Sequence, residues 1–475
     1  MTGLPKIPLT INDYLIIAAY FIGVLIIGFK TKSDSNSVKD YLIAGRTLTL
    51  PAFVATIVAS FYGGILGIGE FTFRFGISGW LLYALPYYIF ITVFAFFLAN
   101  KIRRTHLYTI PDKLNRVYGK KVSVFGGILI FFLATPAPYL FMMAIIIKWV
   151  FAIKLAYAML FSLLVSIIYL IKGGFRSDVR VNMLEFIIMF VGFGIILPFC
   201  INTLGGFDYL NARLPKEYLQ FPGSVTLQYF ITWFFIGSWA LIDPVFYQRC
   251  YAVKSKKTPK RGILISLVFW FIFDIMTTLT GLYSKAFFLN DKIDPVNSIP
   301  MLAQSILPPI AKGIFITGLL ATIMSSLHSY IFISSTTFGK DIISKLRNED
   351  TDEYRYSKIG MAVSGFIALV LAYFIPSVVD LWYTVGTMII PALLISVITS
   401  YFDKLQVHSK FIFAAMITSF SVSLISFILG MMNKVEGVAV YPFSLEPMYP
   451  GLAAGLLVYL IGYANRKSLK TESDY

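Results

Sequence analysis

Long apolar stretches constrain this chain more than any other feature of its sequence. A helix needs about 20 mostly apolar residues to cross a bilayer, and segments of roughly that length recur along the chain. Whole windows are apolar, whereas strands of a membrane β-barrel alternate apolar and polar residues. The sequence therefore predicts an all-α, polytopic membrane protein of about 13 transmembrane helices. The predicted spans are 14–29, 50–72, 78–100, 122–149, 155–171, 183–203, 225–247, 263–287, 313–339, 358–378, 381–401, 411–432 and 449–465.

Composition excludes the main alternatives to a membrane protein. Of the 475 residues, 57% are hydrophobic and only 13% are charged, about half the charged share of an average soluble protein. These values exclude a disordered chain and argue against a cytosolic enzyme. The N-terminal residues lack a basic region and a cleavage site, so the first span is expected to be retained.

The distribution of basic residues predicts the orientation of the chain. The net charge is +16, and cytoplasmic loops of membrane proteins are enriched in Lys and Arg. With the N-terminus outside and alternating spans, 30 of the 40 basic residues fall on the cytoplasmic side. We therefore predict an outside N-terminus and an inside C-terminus in the plasma (inner) membrane. The basic excess would contact anionic lipid headgroups of the bilayer, and no nucleic-acid partner is expected.

Two predicted spans carry residues that interrupt helices. Span 50–72 contains four glycines between positions 63 and 69, and span 225–247 contains Gly-Ser at 237–238 and Asp-Pro at 243–244. Small-residue packing and a simple proline kink are the alternative explanations. Interrupted helices at corresponding positions of two halves are, however, typical of inverted-repeat transporters.

The two interruptions define a domain organisation. They lie five spans apart, and because five is odd, the second repeat would begin on the opposite side of the membrane. We predict one transmembrane domain over residues 1–475 with a five-plus-five core, in which the first helix of each repeat is broken. Its parts are an extra first helix and cytoplasmic loop (1–46), a first repeat (47–205), a second repeat (222–402) and extra C-terminal helices (403–475).

Span 313–339 carries a stripe of hydroxyl groups. Thr322, Ser325, Ser326 and Ser329 follow the spacing i, i+3, i+4 and i+7, which puts them on one helical face. Such hydroxyls often bond back to their own helix. In a transporter core they also suit a hard cation, together with carbonyls freed by a broken helix. His328 lies one residue off this stripe, where it either bonds locally or relays protons.

Several motifs resemble the sodium:solute symporter family. The segment DYLIAGR (40–46) resembles its D-Y-F-L-A-G-R signature, and TIPDKL (109–114), GGFR (173–176) and ATIMSSL (321–327) agree with it in order and spacing. The resemblance implies a leucine-transporter-like fold and sodium-coupled uptake by alternating access. It also implies one sodium site between spans 50–72 and 313–339. Its carbonyl ligands fall on Ile57, Ser60 and Thr322, and its hydroxyl ligands fall on Ser325 and Ser326.

The chain departs from family members that have a second sodium site. Those members carry Thr-Asp where this chain has Val181 and Asn182, and an additional serine pair that would fall on His328 and Ser329. We therefore expect Na⁺ as the coupling ion, with one ion per cycle. Glu185, one helical turn from Asn182, is one candidate to substitute at the second site. The favoured expectation puts it near the cytoplasmic mouth, solvated or paired with a nearby arginine, Arg180.

The solute is expected at mid-membrane beside the two interruptions. Aromatic rings there would stack on a sugar ring or hold a cationic amine, although ordinary helix packing explains each ring singly as well. Asp243 and Asp274 are intramembrane acids, which are functional candidates by default, and Asp243 alternatively caps the helix that follows it. The candidate solute contacts are Tyr62, Gly63, Gly64, Tyr139, Ser238 and Trp239.

The leading hypothesis is a sodium-coupled symporter that takes up a small organic solute, acts as a monomer and is not an enzyme. One alternative is a proton-coupled or sodium-independent transporter of the same fold, in which Glu70, Asp274 or His328 would carry protons. A membrane enzyme is less favoured, because the sequence shows no paired acids with a histidine and no metal motif.

Overall fold

The computed structural model describes residues 8–31, 38–347, 353–435 and 438–466, and within these ranges the chain is almost entirely helical. Eleven helical segments of the described chain, some of them made of two consecutive helices, are long and apolar enough to cross a membrane. Two more predicted spans correspond to shorter apolar helices of 14 and 17 residues, which reach about 21 and 26 Å. Thirteen complete crossings therefore stay a prediction. Lys32, Lys467 and Lys470, which are among the 30 basic residues predicted to be cytoplasmic, lie outside the described residues.

The first part of the chain holds twelve helices within the described ranges. Span 122–149 is divided into two helices at Thr135-Pro136, where proline cannot donate to the helix ladder. The helices are α1 (Ile11–Lys30), α2 (Val38–Ile43), α3 (Leu50–Phe61), α4 (Ile65–Phe75), α5 (Ile77–Val93), α6 (Ala99–Arg104), α7 (Ile110–Tyr118), α8 (Lys120–Leu133), α9 (Ala137–Phe151), α10 (Leu155–Ile168), α11 (Leu170–Leu204) and α12 (Phe207–Arg213).

The second part continues the helical pattern, with one short hairpin before the last helix. Its elements are α13 (Leu227–Ile236), α14 (Pro244–Ala252), α15 (Thr258–Phe287), α16 (Ser298–Ile306), α17 (Ala311–Thr336), α18 (Lys345–Arg347), α19 (Glu353–Phe374), α20 (Val378–Ser400), α21 (Ser409–Met432), β1 (Lys434–Val435), β2 (Val438–Ala439) and α22 (Met448–Ala464). Two π-helical segments, Phe94–Leu98 and Thr337–Ser344, join α5 to α6 and α17 to α18.

Both predicted interruptions are present. A 3₁₀ turn, Tyr62–Gly64, separates α3 from α4, and another, Gly237–Leu241, separates α13 from α14. The first turn lies so close to α17 that a Cβ on Gly63 would be 2.1 Å from the Oγ of Ser326. At the second, Asp243 caps α14 by accepting from the backbone N–H of Val245 at 2.7 Å. The first helix is thus interrupted where its backbone packs closely against α17, and the second where a side chain caps the helix that follows.

Helix α17 forms the centre of the bundle. It is buried along nearly its whole length and packs against α1, α3, α9 and α11. The contact with α11 depends on small residues, since a Cβ on Gly192 would lie 2.6 Å from the Cα of Gly318. Helix α15 packs along α3 and α4. The interrupted helix pair α3–α4 therefore lies between α15 and α17.

Candidate functional site

The end of α3 meets the hydroxyl stripe of α17. The Oγ of Ser325 lies 2.8 Å from the carbonyl oxygen of Ala59 and 2.7 Å from that of Thr322. A serine hydroxyl has one hydrogen, so it can donate to only one of these two carbonyls at a time. Three oxygen atoms thus surround a single proton in a fully buried position.

Ser326 completes the junction between the two helices. Its Oγ donates to the carbonyl of Ser60 at 2.5 Å and accepts from the backbone N–H of Gly63 at 3.0 Å. In an unbroken helix, the N–H of Gly63 would bond to the carbonyl of Ala59 four residues earlier. The 3₁₀ turn frees both groups, and the hydroxyls of α17 bind them instead.

The structure brings four of the five predicted sodium ligands together. Ser60, Thr322, Ser325 and Ser326 lie at this junction, whereas the carbonyl of Ile57 makes no hydrogen bond with these hydroxyls. The carbonyl of Ala59, which the sequence analysis did not single out, contacts Ser325 instead. Which carbonyl of α3 meets the serine depends on how α3 and α17 are aligned.

The predicted stripe does not serve a single site. The hydroxyl of Thr322 donates to Gly318 on its own helix at 2.7 Å, so only its carbonyl is available to the junction. Ser329 donates instead to Asp178 on α11 at 2.6 Å. Two of the four hydroxyls, those of Ser325 and Ser326, therefore remain at the junction.

A buried acid–histidine cluster lies beside the junction, between α11 and α17. The Nδ1 of His328 is 2.9 Å from a carboxylate oxygen of Asp178, and its Nε2 is 2.9 Å from one of Glu185. All three side chains are fully buried. A neutral ring has one N–H, so its other nitrogen would face a carboxylate oxygen with no proton between them. The cluster therefore carries one additional proton, on the ring or on a carboxyl group.

The expectation for Glu185 and one of the alternatives for His328 were wrong. Glu185 does not lie solvated at a mouth beside Arg180. It is fully buried and also accepts from the hydroxyl of Tyr20 at 2.9 Å, while Arg180 donates to Thr31. His328 bonds across helices rather than locally. The sequence analysis found no paired acids with a histidine because the acids lie about 150 residues away from it along the chain.

Arg249 balances the charge of this cluster. Its guanidinium donates to Asp178 and to the hydroxyl of Ser329, both at 2.9 Å, and it is fully buried. Asn182 also donates to Ser329, at 3.2 Å. With a protonated ring at His328, the two positive groups match the two carboxylates. Asp178 was missed because the sequence analysis assigned it to a loop.

A second feature, an aromatic cavity, opens on the other side of the α3–α4 break. Its empty volume, open mouth included, is about 810 Å³. Twelve of the 18 lining residues are aromatic. The lining residues are Phe61, Tyr62, Gly64, Ile68, Phe71, Tyr83, Ala84, Tyr87, Tyr88, Ile91, Tyr139, Trp233, Trp239, Asp243, Trp270, Asp274, Tyr330 and Trp382.

Four of the six predicted solute contacts line this cavity. They are Tyr62, Gly64, Tyr139 and Trp239. Gly63 is not among the lining residues and packs against Ser326 of α17, and Ser238 is likewise buried outside the lining. The aromatic residues of α5 that line the cavity were missed, because in a chain with 17% aromatic residues a ring facing a cavity carries no distinguishing sequence signal.

Both intramembrane acids also line the cavity. Asp274 accepts hydrogen bonds from the hydroxyls of Tyr62 and Tyr88. Asp243 accepts from the hydroxyl of Tyr330 at 2.9 Å while it caps α14. The two alternatives considered for Asp243, a cap and a functional acid, are therefore compatible. Glu70 lies elsewhere, in an ion pair with Arg74 at 2.6 Å.

Solved transporter structures share this fold. A Na⁺-coupled sialic acid symporter, in a substrate-bound outward-open state, aligns with a TM-score of 0.79 over 96% of this chain and 98% of its own, at 14% identity. A nucleobase-cation-symport-1 family transporter in a closed conformation aligns with a TM-score of 0.58 over 93% and 96%, at 12% identity. The architecture is thus that of leucine-transporter-like carriers.

Curated relatives are sodium-coupled or solute transporters. The sodium/pantothenate symporter of Haemophilus influenzae is 24% identical, with 94% of each chain aligned. The high-affinity choline transporter 1 of Drosophila melanogaster is 24% identical over 77% of this chain and 63% of its own length. Sodium/glucose cotransporter 1 of Ovis aries is 22% identical over 72% and 59%. The chain thus spans nearly all of the bacterial relative and about 60% of these animal ones.

The family itself follows from a match along most of the sequence. The model of the sodium:solute symporter family matches residues 41–419, a range that contains the α3–α4 break, the hydroxyl junction and the aromatic cavity. The chain therefore belongs to the sodium:solute symporter family.

Proposed function

We propose that this symporter takes up a small organic solute across the plasma membrane with one sodium ion per cycle, and that the ion binds where α3 ends against α17. As a member of its family the protein is a sodium-coupled transporter and not an enzyme. The ion site, its stoichiometry, uptake direction and a monomeric state are the parts proposed here.

The observation that carries the ion site is the crowding of oxygen atoms at the junction. The Oγ of Ser325 lies within hydrogen-bond distance of two backbone carbonyls but carries one hydrogen, so it can donate to only one of them at a time. A bound cation would accept lone pairs from all three oxygens. Neutral oxygen donors suit a hard cation. The proposed ligands are Ala59, Ser60, Thr322, Ser325 and Ser326, and Ile57 stays a sequence-based prediction.

The acid–histidine cluster supports one ion rather than two. His328 and Ser329 occupy the positions at which the family resemblance would put a second site, and both are bonded to Asp178. One ion is sufficient for concentrative uptake. A charge moving down about 100 mV releases roughly 2.3 kcal/mol, and a tenfold sodium gradient adds about 1.4 kcal/mol, together enough for a gradient of two to three orders of magnitude.

The solute is proposed to occupy the aromatic cavity. Tyr62 lines the cavity, and the N–H of the next residue, Gly63, bonds to Ser326 of the ion junction. The proposed sodium ligand Ser326 and the solute would therefore contact adjacent residues of one 3₁₀ turn. If either ligand stabilises one conformation of that turn, the same conformation binds the other ligand more tightly. This mutual dependence is what coupling requires.

Uptake into proteoliposomes with independent sodium and pH gradients tests this function. An inward sodium gradient should drive accumulation of a transported solute, and a pH gradient of the same magnitude without sodium should not. Accumulation driven by pH alone would instead support the proton-coupled alternative through Glu70, Asp274 or His328. Solute chemically changed rather than accumulated would support an enzyme.

A further inference from the structure

The charges that line the aromatic cavity have one sign. Its lining includes Asp243 and Asp274 but no Lys, Arg or His. Asp243 lies within electrostatic reach of Arg249. The partners of Asp274 in the described part of the chain are the hydroxyls of Tyr62 and Tyr88 and the indole of Trp80, all of them neutral.

An acid in this position points to a positively charged ligand. Asp274 is 3% exposed and lies in the middle of α15. Burial of a carboxylate is unfavourable unless hydrogen bonds and an opposite charge compensate for it, and ionisable residues inside a membrane bundle mark ligand pathways. The three neutral donors supply no positive charge, so Asp274 is either protonated or ionised with a cationic ligand beside it.

The aromatic walls favour the same kind of ligand. Trp270 precedes Asp274 by four residues, so both lie on one face of α15, and its ring centroid is 5.0 Å from that of Phe61. Tyr62 contacts Asp274 directly from the α3–α4 turn. Tyr and Trp rings attract cations through their faces, most strongly where water is excluded. The acid and the rings therefore converge on one region of the cavity.

Two indole N–H groups of the cavity lining, those of Trp233 and Trp239, have no hydrogen-bond acceptor among the described residues. The side chain of Trp239 is only 8% exposed. An unpaired buried donor is unfavourable. A ligand with an oxygen atom away from its charged group would satisfy it.

We propose that the transported solute is a small organic cation, whose ammonium group binds beside Asp274 among the aromatic rings and whose oxygen atom accepts from Trp239. This inference rests on the proposed function and specifies its solute. The sequence left a sugar and a cationic amine open. An anion would meet two acids and no basic group, and a neutral sugar would leave the charge of an ionised Asp274 uncompensated.

A pair of isosteric probes tests the charge of the ligand. Choline carries an ammonium group and a hydroxyl, and 3,3-dimethylbutan-1-ol has the same shape without the charge. Binding of each to the purified full-length protein in sodium buffer can be followed by its intrinsic tryptophan fluorescence. Choline should bind at least about tenfold more tightly than the neutral isostere. Equal affinities, no binding of choline, or tighter binding of pantothenate or glucose would overturn the proposal.

Variants identify the acid responsible. Asp274→Asn should abolish the preference for choline over its isostere. Glu446→Gln is the matched control, because Glu446 is also bonded to a tyrosine hydroxyl, that of Tyr383, but does not line the cavity, and it should retain the preference. If Asp274→Asn instead raised the half-saturating sodium concentration and left the preference intact, Asp274 would be a sodium ligand and the proposal would be wrong.

The binding assay separates this proposal from the proposed function. It needs no ion gradient, so a choline preference lost in Asp274→Asn supports the solute class even if sodium fails to drive uptake, which would overturn the function alone. Sodium-driven accumulation of glucose or pantothenate, without choline binding, would support the function and overturn the solute class.

Discussion

At the scale of single residues, Ser325 and Ser326 bond to different backbone groups at the break that ends α3. Ser325 faces the carbonyl of Ala59, and Ser326 bonds both the carbonyl of Ser60 and the N–H of Gly63. Unpaired backbone groups are not tolerated inside a membrane bundle. In the absence of sodium, these hydroxyls stabilise the break by bonding to its backbone groups. When sodium is bound, the same hydroxyls are its proposed ligands.

We expect Ser325→Ala and Ser326→Ala each to raise the sodium concentration for half-maximal uptake about tenfold or more, since a contact to a charged group contributes about 1.5–3 kcal/mol. Sodium titration of uptake in proteoliposomes measures this. Ser334→Ala is the matched control, because Ser334 is also buried on α17 and donates to a carbonyl of another helix, that of Phe131 at 3.3 Å. An unchanged sodium response in both junction variants contradicts the ion site.

The charged cluster shows the limit of sequence reasoning at this scale. His328 was recognised as intramembrane, but its partners Asp178 and Glu185 were assigned to a loop and to a helix mouth. Helix α11 carries both acids on the face that packs against α17. Such pairing depends on the rotation of two helices about their axes, which hydropathy does not specify.

At the scale of elements, the α3–α4 turn connects the ion junction to the aromatic cavity. Gly63 contacts Ser326 on one side of the turn, and Gly64 faces Trp382 on the other, where an added Cβ would be 2.2 Å from the ring. Neither position has room for a side chain. The glycines were predicted as helix breakers, and the structure adds that they also permit close approach of two helices.

We expect Gly63→Ala to displace Ser326 and to raise the half-saturating sodium concentration as well as lower the unfolding temperature, because the new methyl group would lie 2.1 Å from the serine Oγ. Uptake assays and thermal unfolding in detergent measure the two effects. Gly194→Ala on α11 should be tolerated, since its Cβ would meet only Met276 at 3.9 Å. Wild-type behaviour of Gly63→Ala would show that the turn does not contact α17 as described.

At the scale of the whole molecule, the orientation in the bilayer stays a prediction from the basic residues. Lys256 and Lys292 are exposed and lie beyond opposite ends of α15, a helix of 30 residues and therefore about 45 Å long. The positive-inside rule puts Lys256 in the cytoplasm and Lys292 outside. Both native cysteines, Cys200 and Cys250, are buried, so introduced cysteines can be labelled selectively.

A membrane-impermeant maleimide should therefore label Lys292→Cys on intact cells and should label Lys256→Cys only after permeabilisation. Each variant serves as the control for the other, because both replace an exposed lysine at an end of the same helix. The reverse pattern would place the N-terminus inside and contradict the predicted topology.

The sequence by itself determined the membrane-helical fold, the two helix interruptions and the hydroxyl-bearing face of α17, because apolar length, glycine, proline and helical spacing act through neighbours along the chain. Only the tertiary structure decided that Ala59 rather than Ile57 faces Ser325, that His328 lies between two acids, and that the rings of α5 surround Asp274. Those contacts join residues more than 100 positions apart. They depend on how helices rotate and slide against one another, with each residue shifting a backbone carbonyl by about 1.5 Å along the axis and turning it through 100°.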